Sequence, residues 1–186
     1  MAMAHLLGQL NGPSNPAIAL PLLQKASDLA TIDHPQPAYV YGMLLANELL
    51  LPIPIPPTLL LPAPLDKTLV PPPGSPLFNQ HLKARDNLEK AAMLSHPPAQ
   101  YKVGFMYEHA SLTCPYDPLL SVQWYSLASQ GGEVEADMAL SKWFLCGAEG
   151  AFAKNEDLAR SFAEKAARGG LSNGCFAMGY YYEYVK

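Results

Sequence analysis

The chain is poor in residues that chemistry needs in groups. Its 186 residues hold three cysteines, Cys114, Cys146 and Cys175, an odd number at spacings of 32 and 29 with no CxxC pair. That pattern supports neither a disulfide framework nor a zinc site, and reduced, mostly buried thiols are expected. The histidines, His5, His34, His81, His96 and His109, include no HExxH pair, and Glu108 and His109 are helix neighbours that point apart. The 147–150 stretch GAEG lacks the GK[ST] that cradles phosphate. No catalytic residue, no metal site, no cofactor and no small-molecule substrate is therefore expected. The formal charge is −4 with acids and bases interleaved, which gives no electrostatic footprint for nucleic acid.

Uninterrupted apolar length is also missing. The greasiest run, LLLPIPIPPTLLLPAPL at 49–65, contains prolines at 52, 54, 56, 57, 62 and 64. Each proline removes a backbone donor and collides with a helical turn, so this run cannot form a spanning helix and no direct membrane insertion is expected. The opening MAMAHLLGQLNG has no basic region and is broken by Gly8, Asn11 and Gly12, and no N-x-[ST] sequon occurs. Both absences point to the cytoplasm.

What the chain has is repetition. PPAQYKVGFMYEH (97–109), VEADMALSKWFLC (134–146) and SNGCFAMGYYYEY (172–184), aligned on Gly104, Ser141 and Gly179, recur at steps of 37 and 38 residues. Steps of that size mark a solenoid of helix pairs. Ala99, Val103, Tyr107 and Ala110 form one apolar face of the first copy, a helix A opened by proline. The following DPLLSVQWYSLASQGG has Asp117 at the N-cap, Pro118 at N1 and Gly131 or Gly132 at the stop, a helix B. The pair is repeated by VEADMALSKWFLCG and NEDLARSFAEKAARGG.

Upstream, 84–94 reads as a helix B and 36–50 as its helix A, while 14–30 aligns Lys25, Ala26 and Ser27 with Lys90, Ala91 and Ala92 as one more helix B. Pro21 is expected to kink that helix or mark its start. The expected fold is all-α, an α-α solenoid of antiparallel helix pairs with about eight helices and half a pair at each end. Residues 14–50 form a partial N-terminal repeat, 51–78 a Pro-rich insertion and 79–184 the remaining repeats. The insertion reads as an extended polyproline-type segment continuing through Pro71, Pro72, Pro73, Gly74 and Pro76. Pro54 with Pro57 and Pro73 with Pro76 have the spacing of an SH3 or WW ligand but no flanking arginine; a loosely packed or disordered loop is the other reading.

The residues Ala99-Gln100-Tyr101, Val103-Gly104 and Met106-Tyr107-Glu108, with Lys165-Ala166-Ala167 before Gly169 or Gly170, resemble the signature of Sel-one-like repeats. These are longer-period relatives of tetratricopeptide repeats. In such a packing Ala99, Gly104, Ala128, Ala136, Ala167 and Gly179 are small where helices A and B cross closely, and Tyr107, Phe144 and Tyr182 fill the gap to the next unit. Ser141 in place of glycine implies a small repacking.

A narrower resemblance runs from about 101 to 183. The marks CPYDP (114–118), SVQWY (121–125) and WFLCG (143–147) with the following GAF loop look like the fungal activator, or regulatory subunit, of chitin synthase. That resemblance implies a non-catalytic protein–protein interaction scaffold, a regulator of cell-wall synthesis. Its partner would be a protein, a membrane-embedded chitin synthase, which would hold it peripherally at the plasma membrane. Some family members end in a prenylated cysteine, whereas this chain ends Tyr184-Val185-Lys186. The alternatives are a generic Sel-one-like adaptor, for example in endoplasmic reticulum quality control, or an inactive fragment. A hydrolase of the cysteine-rich bacterial kind would need a cysteine pair in every repeat.

Likeness to tetratricopeptide units also implies that helix A lines a concave face, with ligand-facing positions three before and one after the aligned small residue. Those are Tyr101 and Phe105, Met138 and Lys142, and Phe176 and Tyr180. A row of aromatic, Met and Lys side chains suits a peptide or helix from a partner.

Overall fold

The computed structural model describes residues 2–9, 13–51, 54–63 and 70–184. Among them all regular structure is helical: α1 (Ala2–Leu7), α2 (Pro16–Asp28), α3 (Gln36–Leu45), α4 (Pro76–Met93), α5 (Pro97–Glu108), α6 (Pro118–Gln130), α7 (Val134–Cys146), α8 (Glu156–Arg168) and α9 (Ser172–Tyr184). The chain divides into two compact units, Met1–His96 with Ser111–Cys114, and Pro97–Ala110 with Pro115–Lys186. In the first, α1 packs on α2, α2 on α3 and α3 on α4; in the second, α5 to α9 pack in chain order.

The helix boundaries follow from local chemistry. Asn15, Ser75, Asp117 and Asn155 each accept a hydrogen bond from the backbone N–H three residues on, an N-cap worth about 1 kcal/mol. Prolines at the first turn of α2, α4 and α6 are placed where no intrahelical donor is needed. After α6 and α8 the chain turns through Gly132 and Gly170, both at positive φ, and the next N–H returns to Ala128 and Ala166. Ser95 takes the same left-handed conformation after α4 (φ 62), at a cost a glycine would avoid.

Helices A and B bury different amounts of themselves. α5 buries Ala99, Val103, Gly104, Met106 and Tyr107 on several sides, and α7 buries Ala136, Leu140, Ser141 and Trp143. α8 buries only a stripe, Ala159, Ala163 and Ala166. Around Tyr125, Leu140 and Trp143 the second unit forms one core, joined from its edge by Tyr101, Phe105, Phe144, Phe152 and Phe162. A second cluster unites Ala159 and Ala163 of α8 with Met178 and Tyr181 of α9. Each fully buried large side chain contributes roughly 1.5–3 kcal/mol.

Several expectations are corrected. Helix α4 begins at Pro76 and not near 84, because Ser75 caps it; Pro76 is thus a helix-start proline and not the end of a polyproline segment. Helix α3 ends at Leu45, where Asn47 turns left-handed (φ 57). Short α1 completes a pair with α2, so the described residues hold nine helices where about eight were expected. Pro21 lies inside α2, on its exposed side.

The insertion is not loose where it is described. Leu60 is buried, Asn47 Nδ2 donates to Leu61 O (2.9 Å), and Gln80 accepts from Leu61 N (3.0 Å) while donating to Leu45 O (2.9 Å). Leu59 and Leu60 wall a hollow of about 450 Å³ with Pro21, Gln24, Tyr41 and Lys83. Pro52, Ile53 and residues 64–69 of the expected insertion lie outside the described residues.

Candidate interaction surface

The small residue of helix A is where each pair is built. A methyl group at Gly42 would come 2.7 Å from Leu88 Cγ, and one at Gly104 would meet the Tyr125 ring at 2.7–3.0 Å. In α7 the equivalent Ser141 turns its Oγ to Ala159 O (2.8 Å), a hydrogen bond that satisfies the extra hydroxyl. The Tyr125 hydroxyl donates to Glu108 Oε2 (2.5 Å); burial, then this carboxylate, pushes the phenol pKa far up. Tyr101 lies beside it, ring centroids 5.5 Å apart.

The lysine of the K-A-A signature has a role that spacing did not reveal. Lys165 Nζ reaches from α8 to the end of α6, donating to Ser129 O (2.8 Å) and pairing with the buried Asp137 (3.0 Å). In the first unit Lys90 Nζ likewise donates to Ser27 O (2.6 Å) and Asp28 O (3.0 Å). Each places a cation on the carbonyl end of the preceding helix B, where the helix dipole is negative. A lysine aligned with a carbonyl end one repeat back was the available signal.

The six residues of the expected row all fall in the second unit, on α5, α7 and α9, but they are not equivalent. Tyr101 and Phe105 are half-buried and pack on the core; Phe105 also stacks on His109 at 4.1 Å and receives Lys102 Nζ at 4.8 Å. Met138 is half-buried and Lys142 exposed. Phe176 is 81% and Tyr180 51% exposed. Beside Tyr101 the entry to α7 is acidic: burial, then the hydrogen bond and charge of Glu135, push Glu133 up to about 7. Burial, then Glu135, Glu108 and Glu133, raise the Tyr101 phenol.

The marks that resembled the chitin synthase activators are structural. Trp143 Nε1 donates to Ser121 Oγ (3.1 Å), Asp117 caps α6, and Phe152 of the GAF loop packs on Trp143 and Phe144 at 5.9 and 6.0 Å. Cys114 is buried, and burial, offset by Arg85 and increased by Glu89, pushes its thiol up to about 11, an inert thiol. Gly179 and Tyr182 depart from their expected packing roles: a methyl at Gly179 would meet nothing within 4 Å, and Tyr182 is 70% exposed.

The Sel1 repeat model matches residues 1–30, 74–96, 97–133 and 134–171. The chain belongs to the Sel1 repeat family. Among curated relatives, chitin synthase regulatory factor 4 of Schizosaccharomyces pombe is 42% identical over 100 residues, 54% of this chain and 16% of that one. The chitin synthase regulator SKT5 of Saccharomyces cerevisiae is 39% identical over 97 residues, 52% of this chain and 14% of that one. The matched Sel1 segment thus spans under a fifth of the length of either relative. Two solved structures share the fold at a TM-score of 0.73. One is a protective antigen of uropathogenic Escherichia coli displaying an SLR fold, 20% identical, covering 97% of this chain and 32% of that one. The other is a Sel1 repeat protein from Oxalobacter formigenes, 19% identical, covering 100% of this chain and 44% of that one. Among the described residues no helix is long and apolar enough to cross a membrane.

Proposed function

We propose that this Sel1 repeat chain is a non-catalytic scaffold that regulates chitin synthase in fungal cell-wall synthesis by contact. The observation that carries the reading is the 42% identity to a protein named chitin synthase regulatory factor 4. The row of Met138, Lys142, Phe176 and Tyr180 is its partner-binding surface, with Tyr101 and Phe105 as a half-buried foundation. Aromatic side chains flanked by lysine favour such a role because they bury large area while losing few rotamers on binding. The partner is a membrane-embedded synthase, which holds the chain at the cytoplasmic side of the plasma membrane.

Capture from detergent-solubilised fungal membranes tests this. The native chain is expected to retain chitin synthase activity and the synthase polypeptide, and Lys142→Ala/Tyr180→Ala to lose both at an unchanged helical signal. Both positions are exposed, so the variant keeps the core that Phe105→Ala would disturb. Equal capture by the two chains, or no synthase with either, contradicts the proposal.

A further inference from the structure

The repeat that holds the insertion carries more than its copies do, and the excess encloses a hollow. Helix α4 begins at Pro76, 14 residues before the signature Lys90, whereas α8 begins at Glu156, 9 before Lys165. The additional turn brings Gln80 against the end of α3, where its amide donates to Leu45 O (2.9 Å) and Leu61 O (3.1 Å) and accepts from Leu61 N (3.0 Å). With the bond from Asn47 Nδ2 to Leu61 O, these contacts fix 59–61 as a wall of the hollow.

The hollow measures about 450 Å³, room for about 15 waters at ~30 Å³ each. Tyr41, Leu45 and Leu60 are its buried lining, and Leu20, Pro21 and Leu59 carry the apolar surface to the rim. Its donors converge. Lys83 Nζ (3.0 Å) and the Tyr41 hydroxyl (3.2 Å) both donate to Gln24 Oε1, and Lys83 Nζ lies 5.4 Å from the centre of the Tyr41 ring. None of the described residues lining the hollow is acidic, so one neutral amide oxygen receives an ammonium and a phenol together. A carboxylate offers two charged oxygens to the same two donors, and charge-assisted hydrogen bonds are the stronger kind. Gln24 is exposed, so its amide can turn aside without disturbing the core.

We propose that this hollow binds a free aliphatic carboxylic acid as its anion, the carboxylate on Lys83 Nζ and the Tyr41 hydroxyl in place of Gln24 Oε1, the chain over Leu45, Leu59 and Leu60. An apolar pocket with a few convergent polar groups is the usual form of a small-molecule site. A cationic head would be repelled by Lys83, and a neutral one would forgo the charge-assisted bonds. A peptide fits less well than a hydrocarbon chain, because its amides need partners and the N–H and C=O of Leu61 are already engaged by Gln80 and Asn47. The site lies in the first unit, whereas the Met138, Lys142, Phe176 and Tyr180 row lies in the second, so it stands or falls without the chitin synthase reading.

The test is an NMR titration of the full ¹⁵N-labelled chain with octanoate, 1-octanol and octylammonium. Octanoate is expected to shift the amides of residues lining the hollow, with a Kd at least about tenfold below that of 1-octanol, the worth of one hydrogen bond to a charged group. Octylammonium should bind more weakly than either. Lys83→Met should bind octanoate and 1-octanol alike, and Leu59→Asp should bind no octanoate. Both positions are exposed, and circular dichroism checks that each variant keeps its helices. The proposal is overturned by no binding, by shifts confined to other residues, by equal binding of octanoate and 1-octanol to the native chain, or by a preference that survives Lys83→Met. It is overturned too if acetyl-Leu-Leu binds more tightly than octanoate while its C-terminal amide does not, since the occupant would then be a peptide terminus.

Discussion

Helices α5 and α9 carry nearly the same sequence motif in opposite circumstances. Around Gly104, α6 supplies a tyrosine ring and Glu108 accepts its hydroxyl, and Tyr107 one turn on is buried. Around Gly179 the same glycine, glutamate and aromatic residues face outward, with Tyr182 70% exposed and Arg160 over its ring at 5.4 Å. The same motif is therefore buried in α5 and exposed in α9. What differs is the helix packed on the glycine, α6 on α5 and none among the described residues on this face of α9.

The same substitution at the two glycines breaks the comparison most sharply. Gly104→Leu forces a side chain into the Tyr125 ring and should cost about 2–3 kcal/mol in urea unfolding. Gly179→Leu meets open space and exchanges a poor helix former for a good one, so it should be neutral or stabilise by up to about 1 kcal/mol. Equal losses at both sites would show that the α9 face is covered.

A second contrast sets the signature lysine against an exposed one. Lys165→Met strands the buried Asp137 with only the Ser129 hydroxyl, and a loss of about 1–3 kcal/mol is expected. Lys154, paired with Glu156 at 3.1 Å on the surface, should lose under about 0.5 kcal/mol as Lys154→Met. Similar denaturation midpoints for the two variants would remove the repeat-to-repeat role assigned to Lys165.

The smallest effect is electrostatic and belongs to the entry of α7, which has the acid pair that α9 lacks. Glu133 rises from 4.5 to about 7 on folding, so the unfolded chain releases this proton first. Stability contributed by the protonated form is complete below about 4.5 and is lost as pH rises through about 7. Solvent screening at this half-exposed pair limits the loss to the order of 1 kcal/mol. Thermal melts at pH 5 and 8 should show Glu133→Gln less sensitive to pH than the native chain; an identical pH dependence would dismiss the pair as its source.

The sequence made the helix pairs legible because their punctuation is local. Asp117 and Asn155 cap, Pro97 and Pro118 start, and Gly132 and Gly170 stop helices within a turn of themselves. The start of α4 was hidden because Ser75 and Pro76 sit at the end of a proline-rich run, where the same residues suit an extended chain. The anchoring of Leu61 by Gln80 was illegible too, being a side-chain contact across 19 residues. The candidate row was legible as positions but not as exposure. Tyr101 and Phe105 lean on Tyr125 and its neighbours, whereas Phe176 and Tyr180 are exposed, a difference set by packing alone.

Hydrogen–deuterium exchange of the native chain tests the central contrast most directly. The account predicts that amides of 103–107 in α5 exchange only with global unfolding. Those of 176–183 in α9 should exchange at least about tenfold faster through local opening. Equal protection of the two segments in the free chain would contradict it.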